Sequence, residues 1–213
     1  MSAPWYWPRA KRELARADAV LKDIIARHPR VHLVSRGDPF ATLARSIVGQ
    51  QISVKAADAV WARLQAACPR LEPRALLAKR ASTLRGCGLS ERKVEYLRDL
   101  ARHFVRERID ADYLQSLNDA DVIAHLTAIR GIGRWTAEMF LIFNLQRPDV
   151  LPLDDLGLLK AISRHYLDGE PVDRLASRAG RARIERLASV WSPWRSVATW
   201  YLWRSLDPVP VEY

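Results

Sequence analysis

Two glycines that flank one apolar residue, Gly131-Ile132-Gly133, interrupt an otherwise helical pattern in the second half of the chain. Apolar residues recur at helical spacing before the interruption (Val122 to Ile129) and again after it (Trp135 to Phe143). Because glycine accepts positive φ angles, this pattern predicts a tight turn between two helices. The second helix would begin with unpaired backbone N–H groups at the positive end of its dipole, an arrangement that binds phosphate. A hairpin that only reverses the chain direction is the alternative.

An acidic pair follows the second helix of this hairpin. Arg147-Pro148-Asp149 breaks the helical pattern, and the loop Leu151-Pro152-Leu153-Asp154-Asp155 precedes a predicted helix over residues 156–166. One carboxylate at a helix start commonly serves as the N-cap. Because one cap is sufficient, we expect the other carboxylate to be available for a different role.

The composition is that of a globular protein with a basic surface. Of the 213 residues 49% are hydrophobic and 27% are charged, and the formal net charge is +10. This charge favours a polyanionic partner. Arginine supplies most of the positive charge, and its guanidinium group binds phosphate in a bidentate manner. A basic protein without a nucleic-acid ligand is the alternative. Cys68 and Cys87 are too few for an iron–sulfur cluster, which requires about four cysteines. Without a signal peptide or a long apolar segment, we expect a cytoplasmic protein that does not bind membranes, nucleoid-associated if it is bacterial.

Helical patterns also dominate the rest of the chain. No segment shows the alternation of apolar and polar residues that is typical of strands, so we predict an all-α fold. We expect residues 1–9 to form a non-helical arm that packs Trp5, Tyr6 and Trp7 against the body, followed by one helix from about Ala10 to His28. Asp38, Ser90 and Asn118 are predicted N-caps of later helices.

Three separate segments of the chain resemble the helix–hairpin–helix DNA glycosylases, most closely the DNA-3-methyladenine glycosylases that remove several alkylated purines. The segments are I-V-G-Q-Q-I-S-V at 47–54, the hairpin with its acidic loop at 126–160, and W-S-P-W-R-S at 191–196. The resemblance extends from about Asp38 to Trp203. It implies two helical lobes with a cleft between them, a central lobe of about 38–150 and a second lobe that combines 1–37 with 151–213.

The resemblance also implies roles for particular residues near the cleft. Asp155 corresponds to the catalytic aspartate that ends the Gly/Pro-rich loop. Trp135 and Trp203 correspond to tryptophans of the base-binding pocket, although helix packing is the alternative for each indole. Met139 and Leu156 stand at two further pocket positions, which are aromatic in the closest relatives.

Further residues correspond to positions that contact DNA. Gln51 stands where the family inserts a side chain into the duplex; the closest relatives have an aliphatic residue there, and a polar loop is the alternative. The hairpin contributes Arg130, Gly131, Gly133 and Thr136. The segment Gly86-Cys87-Gly88 repeats the glycine spacing of the hairpin, so it is a candidate for a second backbone-binding turn.

The activity implied by the resemblance is that of a monofunctional DNA glycosylase. Such an enzyme flips an alkylated purine such as 3-methyladenine or 7-methylguanine out of double-stranded DNA and hydrolyses its N-glycosidic bond, which leaves an abasic site. Relatives that also cleave the strand carry a lysine where this chain has Trp135. We expect a monomer that needs no cofactor and no catalytic metal, although the resemblance allows a monovalent cation held by the hairpin carbonyls. The alternatives are a non-enzymatic helix–hairpin–helix module that binds duplex DNA and a glycosylase for mismatched or oxidised bases.

Overall fold

The computed structural model describes residues 3–206, and within that range the chain forms helices and no strands. The predicted all-α fold is therefore confirmed. The helices in chain order are α1 (Trp7–Ala17), α2 (Ala19–Arg27), α3 (Pro39–Gly49), α4 (Val54–Ala67), α5 (Pro73–Ala78), α6 (Ala81–Gly86), α7 (Glu91–Arg106), α8 (Ala111–Ser116), α9 (Asp119–Thr127), α10 (Arg134–Phe143), α11 (Leu156–Tyr166), α12 (Val172–Ala176), α13 (Arg178–Leu187) and α14 (Arg195–Leu206), with a 3₁₀ turn at Ala188–Trp191. Among the described residues, no helix has the combination of length and apolar character that crossing a membrane requires.

Side-chain oxygens fix the start of several helices. The Asp38 carboxylate accepts the backbone N–H of Ala41 at 2.7 Å, and Pro39 occupies the first helical position. The Ser90 hydroxyl caps α7, and the Asn118 side chain caps α9. Because each cap satisfies a backbone donor that the helix itself leaves unpaired, these three predicted helix starts are confirmed.

The predicted helix over Ala10–His28 is wrong, because the structure has two helices that meet at Asp18. The backbone of Asp18 is extended (φ −142°, ψ 116°), and its side chain accepts the N–H of Leu21 at 2.9 Å as the N-cap of α2. The predicted non-helical arm is also partly wrong. The first helix already begins at Trp7, because a proline is tolerated in the first turn, and Trp5 is 87% exposed instead of packed against the body.

The chain divides into two compact helical units. One unit comprises Arg36–Phe140, and the other comprises the described parts of Met1–Ser35 and Leu141–Glu212. The sequence placed the second boundary near residue 150, whereas the structure places it inside α10. Residues 1–2 and 207–213 of the predicted second lobe lie outside the described residues.

Hydrogen bonds explain why the segment after α10 belongs to the unit that contains both chain ends. The Tyr6 hydroxyl donates to the Gln146 carbonyl at 2.7 Å, and the backbone N–H of Ser196 donates to the Pro148 carbonyl at 3.0 Å. The Arg195 guanidinium binds both carboxylate oxygens of Asp149, at 2.7 and 2.8 Å. Residues 146–149 are thus fixed to α14 and to the residue that precedes α1.

In the unit Arg36–Phe140, helix α7 packs against α3, α5 and α6. One face of α7 is buried through Val94, Leu97, Leu100 and Phe104, and the ring of Phe104 meets that of Phe40 edge-on at 5.4 Å between centroids. This periodicity is the one that the sequence shows. The opposite, charged face of α7 stays at the surface, where it adjoins the glycine hairpin between α9 and α10.

In the other unit, α14 is buried over most of its circumference and packs against α1, α2 and α11. Asp18 links three elements around it. One carboxylate oxygen caps α2, while the other accepts the Tyr166 hydroxyl at 2.9 Å and the Trp191 indole N–H at 2.7 Å. Burial, together with the nearby Asp18 carboxylate, raises the pKa of Tyr166, so this phenol stays a donor.

We expect the substitution Asp18→Ala to lower the free energy of unfolding by about 2–4 kcal/mol, since it removes a helix cap and leaves two largely buried donors without an acceptor. Urea denaturation measures this loss. Asp23→Ala is the matched control, because it makes the same charge change at an exposed position of α2. Equal midpoints for the two variants would contradict the linking role of Asp18.

Candidate active site

Asp155 occupies the N-cap position of α11 and is only 4% exposed. Its Oδ1 atom accepts two hydrogen bonds of 2.7 Å, one from the backbone N–H of Leu158 and one from the indole N–H of Trp203. Both donors are directed at the same carboxylate oxygen, and the positive end of the α11 dipole lies at the same point. The carboxyl group of Asp155 is therefore held in place by two donors at a buried position.

The neighbouring Asp154 has a different environment. Its side chain is 36% exposed and forms an ion pair with Arg181 at 2.5 Å. We expected one carboxylate of the pair to cap the helix and the other to be available for chemistry, and this division is wrong, because Asp155 is both the cap and the buried carboxylate. A carboxylate has several acceptor sites, so capping the helix does not exhaust its capacity.

Trp203, in α14, is oriented by contacts on two sides. Its ring stacks on that of Phe143 with 5.6 Å between centroids and an interplanar angle of 10°, and its N–H is directed at Asp155. Phe143 was not predicted as a site residue. The structure thus brings one of the predicted tryptophans into direct contact with the predicted catalytic aspartate.

Gly157, in the first turn of α11, makes room for this arrangement. A Cβ atom at this position would lie 3.0 Å from Cδ1 of Trp203 and 3.1 Å from Oδ1 of Asp155. Both distances are shorter than ordinary van der Waals contact. Sequence reasoning missed Gly157, although a glycine in a helix is unfavourable by about 1 kcal/mol relative to alanine and therefore signals a local requirement.

The remaining predicted base-binding residues lie on α10 and at the start of α11. Trp135 and Met139 are spaced by four residues and share one face of α10 with Phe143. Met139 is buried and Trp135 is half-buried. Leu156 follows Asp155 directly and is 61% exposed. Contact of these three side chains with a base stays a prediction.

The glycine hairpin connects α9 to α10, and its two glycines differ. Gly131 has a φ of +87°, and a Cβ there would lie 2.2 Å from Cδ2 of Tyr96, so only glycine fits. Gly133 does not have a positive φ, so Gly131 is the residue of this pair that uses the conformational freedom of glycine. A Cβ at Gly133 would meet no atom within 4 Å, so the chain leaves open space in front of the α10 N-terminus.

Side chains from outside the hairpin hold it in place. The Gln50 amide donates to the Gly131 carbonyl at 2.7 Å. The Asp99 carboxylate accepts the backbone N–H of Arg130 at 2.9 Å and lies 3.4 Å from its guanidinium group. Sequence reasoning missed both supports, because Gln50 and Asp99 are far from the hairpin along the chain.

Gln51 is exposed in the loop between α3 and α4, with a φ of +59°. Positive φ is uncommon for residues other than glycine, and such strain concentrates at functional sites. The next residue, Ile52, is 40% exposed. Thr136 lies half-buried in the first turn of α10, and the predicted DNA contacts of Gln51 and Thr136 stay predictions.

The second glycine turn, Gly86-Cys87-Gly88, differs from the hairpin. Its positive φ (+91°) is at the second glycine, where a Cβ would lie 2.7 Å from a guanidinium nitrogen of Arg63. The Arg63 Nε–H also donates to the Cys87 carbonyl at 2.8 Å. The backbone N–H groups of Cys87 and Gly88, which a phosphate would need as donors, are already paired with the carbonyls of Leu84 (3.1 Å) and Arg85 (2.8 Å).

An all-helical chain with a glycine hairpin before one helix, and with a buried aspartate beside an indole at the start of the next, has the arrangement of a helix–hairpin–helix repair protein. The model of the HhH-GPD superfamily of base excision DNA repair proteins matches residues 44–186. The chain belongs to this superfamily, which confirms the resemblance inferred from the three sequence segments.

Individual relatives agree with this assignment. DNA-3-methyladenine glycosylase 1 of Schizosaccharomyces pombe is 31% identical over 176 residues, which are 81% of this chain and 74% of the relative. The crystal structure of a DNA-3-methyladenine glycosidase from Bacillus halodurans superposes with a TM-score of 0.76 at 35% identity and covers 89% of this chain and 90% of its own. A second structure, the S. pombe 3-methyladenine DNA glycosylase Mag1 in complex with abasic DNA, has a TM-score of 0.75 at 27% identity and covers 96% and 98%.

We expect Gly157→Ala to displace the Trp203 indole and to weaken its hydrogen bond to Asp155, because the added methyl group would contact both side chains. The indole N–H resonance of Trp203 should shift in a ¹H–¹⁵N spectrum. Stability should not rise by the roughly 1 kcal/mol that alanine normally contributes in place of glycine. Gly86→Ala is the control, since a Cβ there meets nothing within 4 Å; a stabilised Gly157 variant with an unshifted indole would contradict the packing argument.

Proposed function

We propose that this protein is a monofunctional DNA glycosylase that hydrolyses the N-glycosidic bond of alkylated purines in double-stranded DNA and leaves an abasic site. The single observation that carries the proposal is the buried Asp155 carboxylate, which accepts hydrogen bonds from a helix N-terminus and from the indole of Trp203. The names of the relatives point to 3-methyladenine as a substrate, and 7-methylguanine is the second substrate that we predict.

The chemistry assigns Asp155 an electrostatic role. As the C–N bond of the nucleotide breaks, the sugar acquires positive charge, and a fixed carboxylate stabilises that charge in the transition state. The same group can orient or deprotonate the attacking water. The two hydrogen bonds to Oδ1 fix the carboxylate before the reaction begins, so little reorganisation is needed when the charge develops.

The target base lies inside the duplex, so the nucleotide has to be extruded, at a cost of a few kcal/mol. We assign Gln51 the role of filling the space that the base leaves. The hairpin would hold the strand through backbone N–H groups at the start of α10, where Gly133 leaves room for a phosphate. Arg130 and Thr136 flank this point on either side.

Selection of alkylated bases would come from aromatic contact. Methylation of a ring nitrogen gives the purine a positive charge, and a cation over an indole face is stabilised by about 0.5–2 kcal/mol. The hydrogen bond to Asp155 and the stack on Phe143 fix the plane of Trp203. Trp135, Met139 and Leu156 are the further side chains that we assign to the base.

The proposal excludes strand cleavage by a Schiff-base mechanism. Relatives with that activity use a lysine at the position that is Trp135 here. Lys160 is the next lysine after Asp155 in the chain, and it is exposed on α11 more than one helical turn beyond that residue. We therefore expect an intact strand with an abasic site as the product.

The absence of a cofactor stays a prediction, as do the monomeric state and the cytoplasmic location. A monovalent cation at the hairpin would be held by backbone carbonyls, whose hard oxygen atoms suit such an ion. Two of these carbonyls have partners in the structure: Gly131 accepts from Gln50, and Ile129 accepts from the N–H of Ile132. An ion there would share these oxygens and would serve phosphate binding.

We expect Asp155→Asn to slow base release from methylated duplex DNA by at least about a hundredfold. The amide retains an oxygen that can accept from Leu158 and Trp203, but it lacks the charge. Single-turnover release of methyladenine and methylguanine measures the effect, and Asp154→Asn is the matched control. Full activity of the Asp155 variant would mean that another group stabilises the sugar cation, while binding without any base release by the native protein would leave a non-enzymatic DNA-binding module.

We expect Gly133→Ala to weaken binding to any duplex without unfolding the protein, because the methyl group would occupy space that is open in the free protein and is needed by a phosphate. Fluorescence anisotropy at several salt concentrations measures the affinity. Gly131→Ala is the contrasting variant: it should lower the free energy of unfolding by about 1–3 kcal/mol from backbone strain alone. Unchanged affinity of the Gly133 variant would remove the hairpin from the DNA interface.

A further inference from the structure

A cavity of about 390 Å³ adjoins the hairpin within the unit Arg36–Phe140. Helices α6 and α7 and the hairpin residue Arg130 form its walls. Its charged lining consists of Arg85, Arg98, Arg102, Arg130, Glu91 and Glu95. Four guanidinium groups against two carboxylates leave a net positive charge of two, in a space large enough for a phosphodiester group.

The positions along α7 explain why these side chains converge. Glu91, Glu95, Arg98 and Arg102 follow one another at intervals of three or four residues, so they lie on one face of the helix. The two carboxylates precede the two guanidinium groups along this face. Arg85 faces them from the last turn of α6.

The four arginines are not equivalent. Arg98 donates to the Lys79 carbonyl at 2.9 Å, and Arg130 pairs with Asp99. The guanidinium groups of Arg85 and Arg102 form no hydrogen bond and no ion pair with any described residue, although Glu91 and Glu95 line the same cavity. Structural ion pairing therefore does not account for these two arginines.

We propose that this cavity binds a backbone phosphate of duplex DNA, as a second contact beside the hairpin. The inference rests on DNA as the substrate of the proposed function. Arg130 belongs both to the hairpin and to the cavity wall, so a strand held at the α10 N-terminus passes next to Arg85 and Arg102. Guanidinium groups bind phosphate oxygens in a bidentate manner and carry no base preference, so the contact increases affinity for any sequence.

The cavity also gives a role to the chain around the second glycine turn. The sequence indicated that Gly86-Cys87-Gly88 could bind a phosphate through its backbone, but the N–H groups of Cys87 and Gly88 are paired with the carbonyls of Leu84 and Arg85. Arg85 precedes the turn directly, and its side chain lines the cavity. In the proposal it is this side chain that contacts the phosphate.

The test compares Arg85→Ala/Arg102→Ala with Arg178→Ala/Arg186→Ala. The control pair removes the same charge from exposed arginines of α13 that form no side-chain hydrogen bond or ion pair with described residues. Binding to an undamaged duplex is measured by fluorescence anisotropy between about 50 and 200 mM salt. For the cavity variant we expect an affinity lowered by about tenfold and a slope of log K against log salt that falls by about 1 for each lost phosphate contact.

The control variant should keep at least most of the native slope. Equal losses in both variants would mean that only overall charge matters, and an unchanged cavity variant would leave no phosphate there; either result overturns the proposal. Thermal melting of all variants establishes that the fold is intact. Because undamaged DNA is used, a native protein that binds it as expected but releases no methylated base would disprove the glycosylase activity and leave the phosphate site standing.

Discussion

The hydrogen bond from the Trp203 indole to Asp155 is the contact on which the rest of the site depends. It joins the start of α11 to α14, and it places the indole ring of Trp203 beside the carboxyl group of Asp155. A buried carboxylate is costly unless donors surround it. Here one donor comes from the helix that Asp155 caps and the other from the ring that we assign to the base, so the two bonds that support the fold are also the ones that would fix the carboxylate in the proposed reaction.

The residues that we assign to the proposed function are divided between the two units. The unit with both chain ends supplies Asp155, Trp203 and Phe143, and the unit Arg36–Phe140 supplies the glycine hairpin, Gln51 and the arginine cavity. In each unit, buried contacts between helices position residues of a turn or a first helical turn: Asp155 and Gly157 in one unit, and the glycine hairpin and Gln51 in the other. Such positions combine a fixed backbone with exposed polar groups, which is what binding to DNA requires.

The sequence was sufficient for features that depend on neighbouring residues. Asp38-Pro39, Ser90 and Asn118 mark helix starts because a cap and its donor are only three residues apart. The glycine hairpin and the acidic loop were recognisable because each is formed by residues that are neighbours in the sequence. The sequence was insufficient where distant segments meet: the boundary inside α10 depends on the bonds of residues 146–149 with Tyr6 and α14, and the break at Asp18 accompanies partners in α11 and the 3₁₀ turn.

The site shows the same limit. Asp155 and Trp203 were predicted from motifs, whereas Gly157 and Phe143 became apparent only when α11 and α14 were placed together. The hairpin glycines were predicted to form a turn because glycine accepts positive φ angles. The sequence did not show that the Tyr96 ring, in α7, also leaves no space for a Cβ atom at Gly131. Long-range packing thus decides which of several plausible side chains touch.

The hydrogen bond from Gln50 to the Gly131 carbonyl joins the loop after α3 to the glycine hairpin. If the hairpin holds a phosphate as proposed, Gln51 keeps a fixed position relative to that phosphate, because the neighbouring Gln50 is bonded to the hairpin. The distance between the phosphate at the hairpin and the base pair at Gln51 would thus be fixed. It would be set by the Gln50 side chain and by the hairpin turn that this side chain contacts.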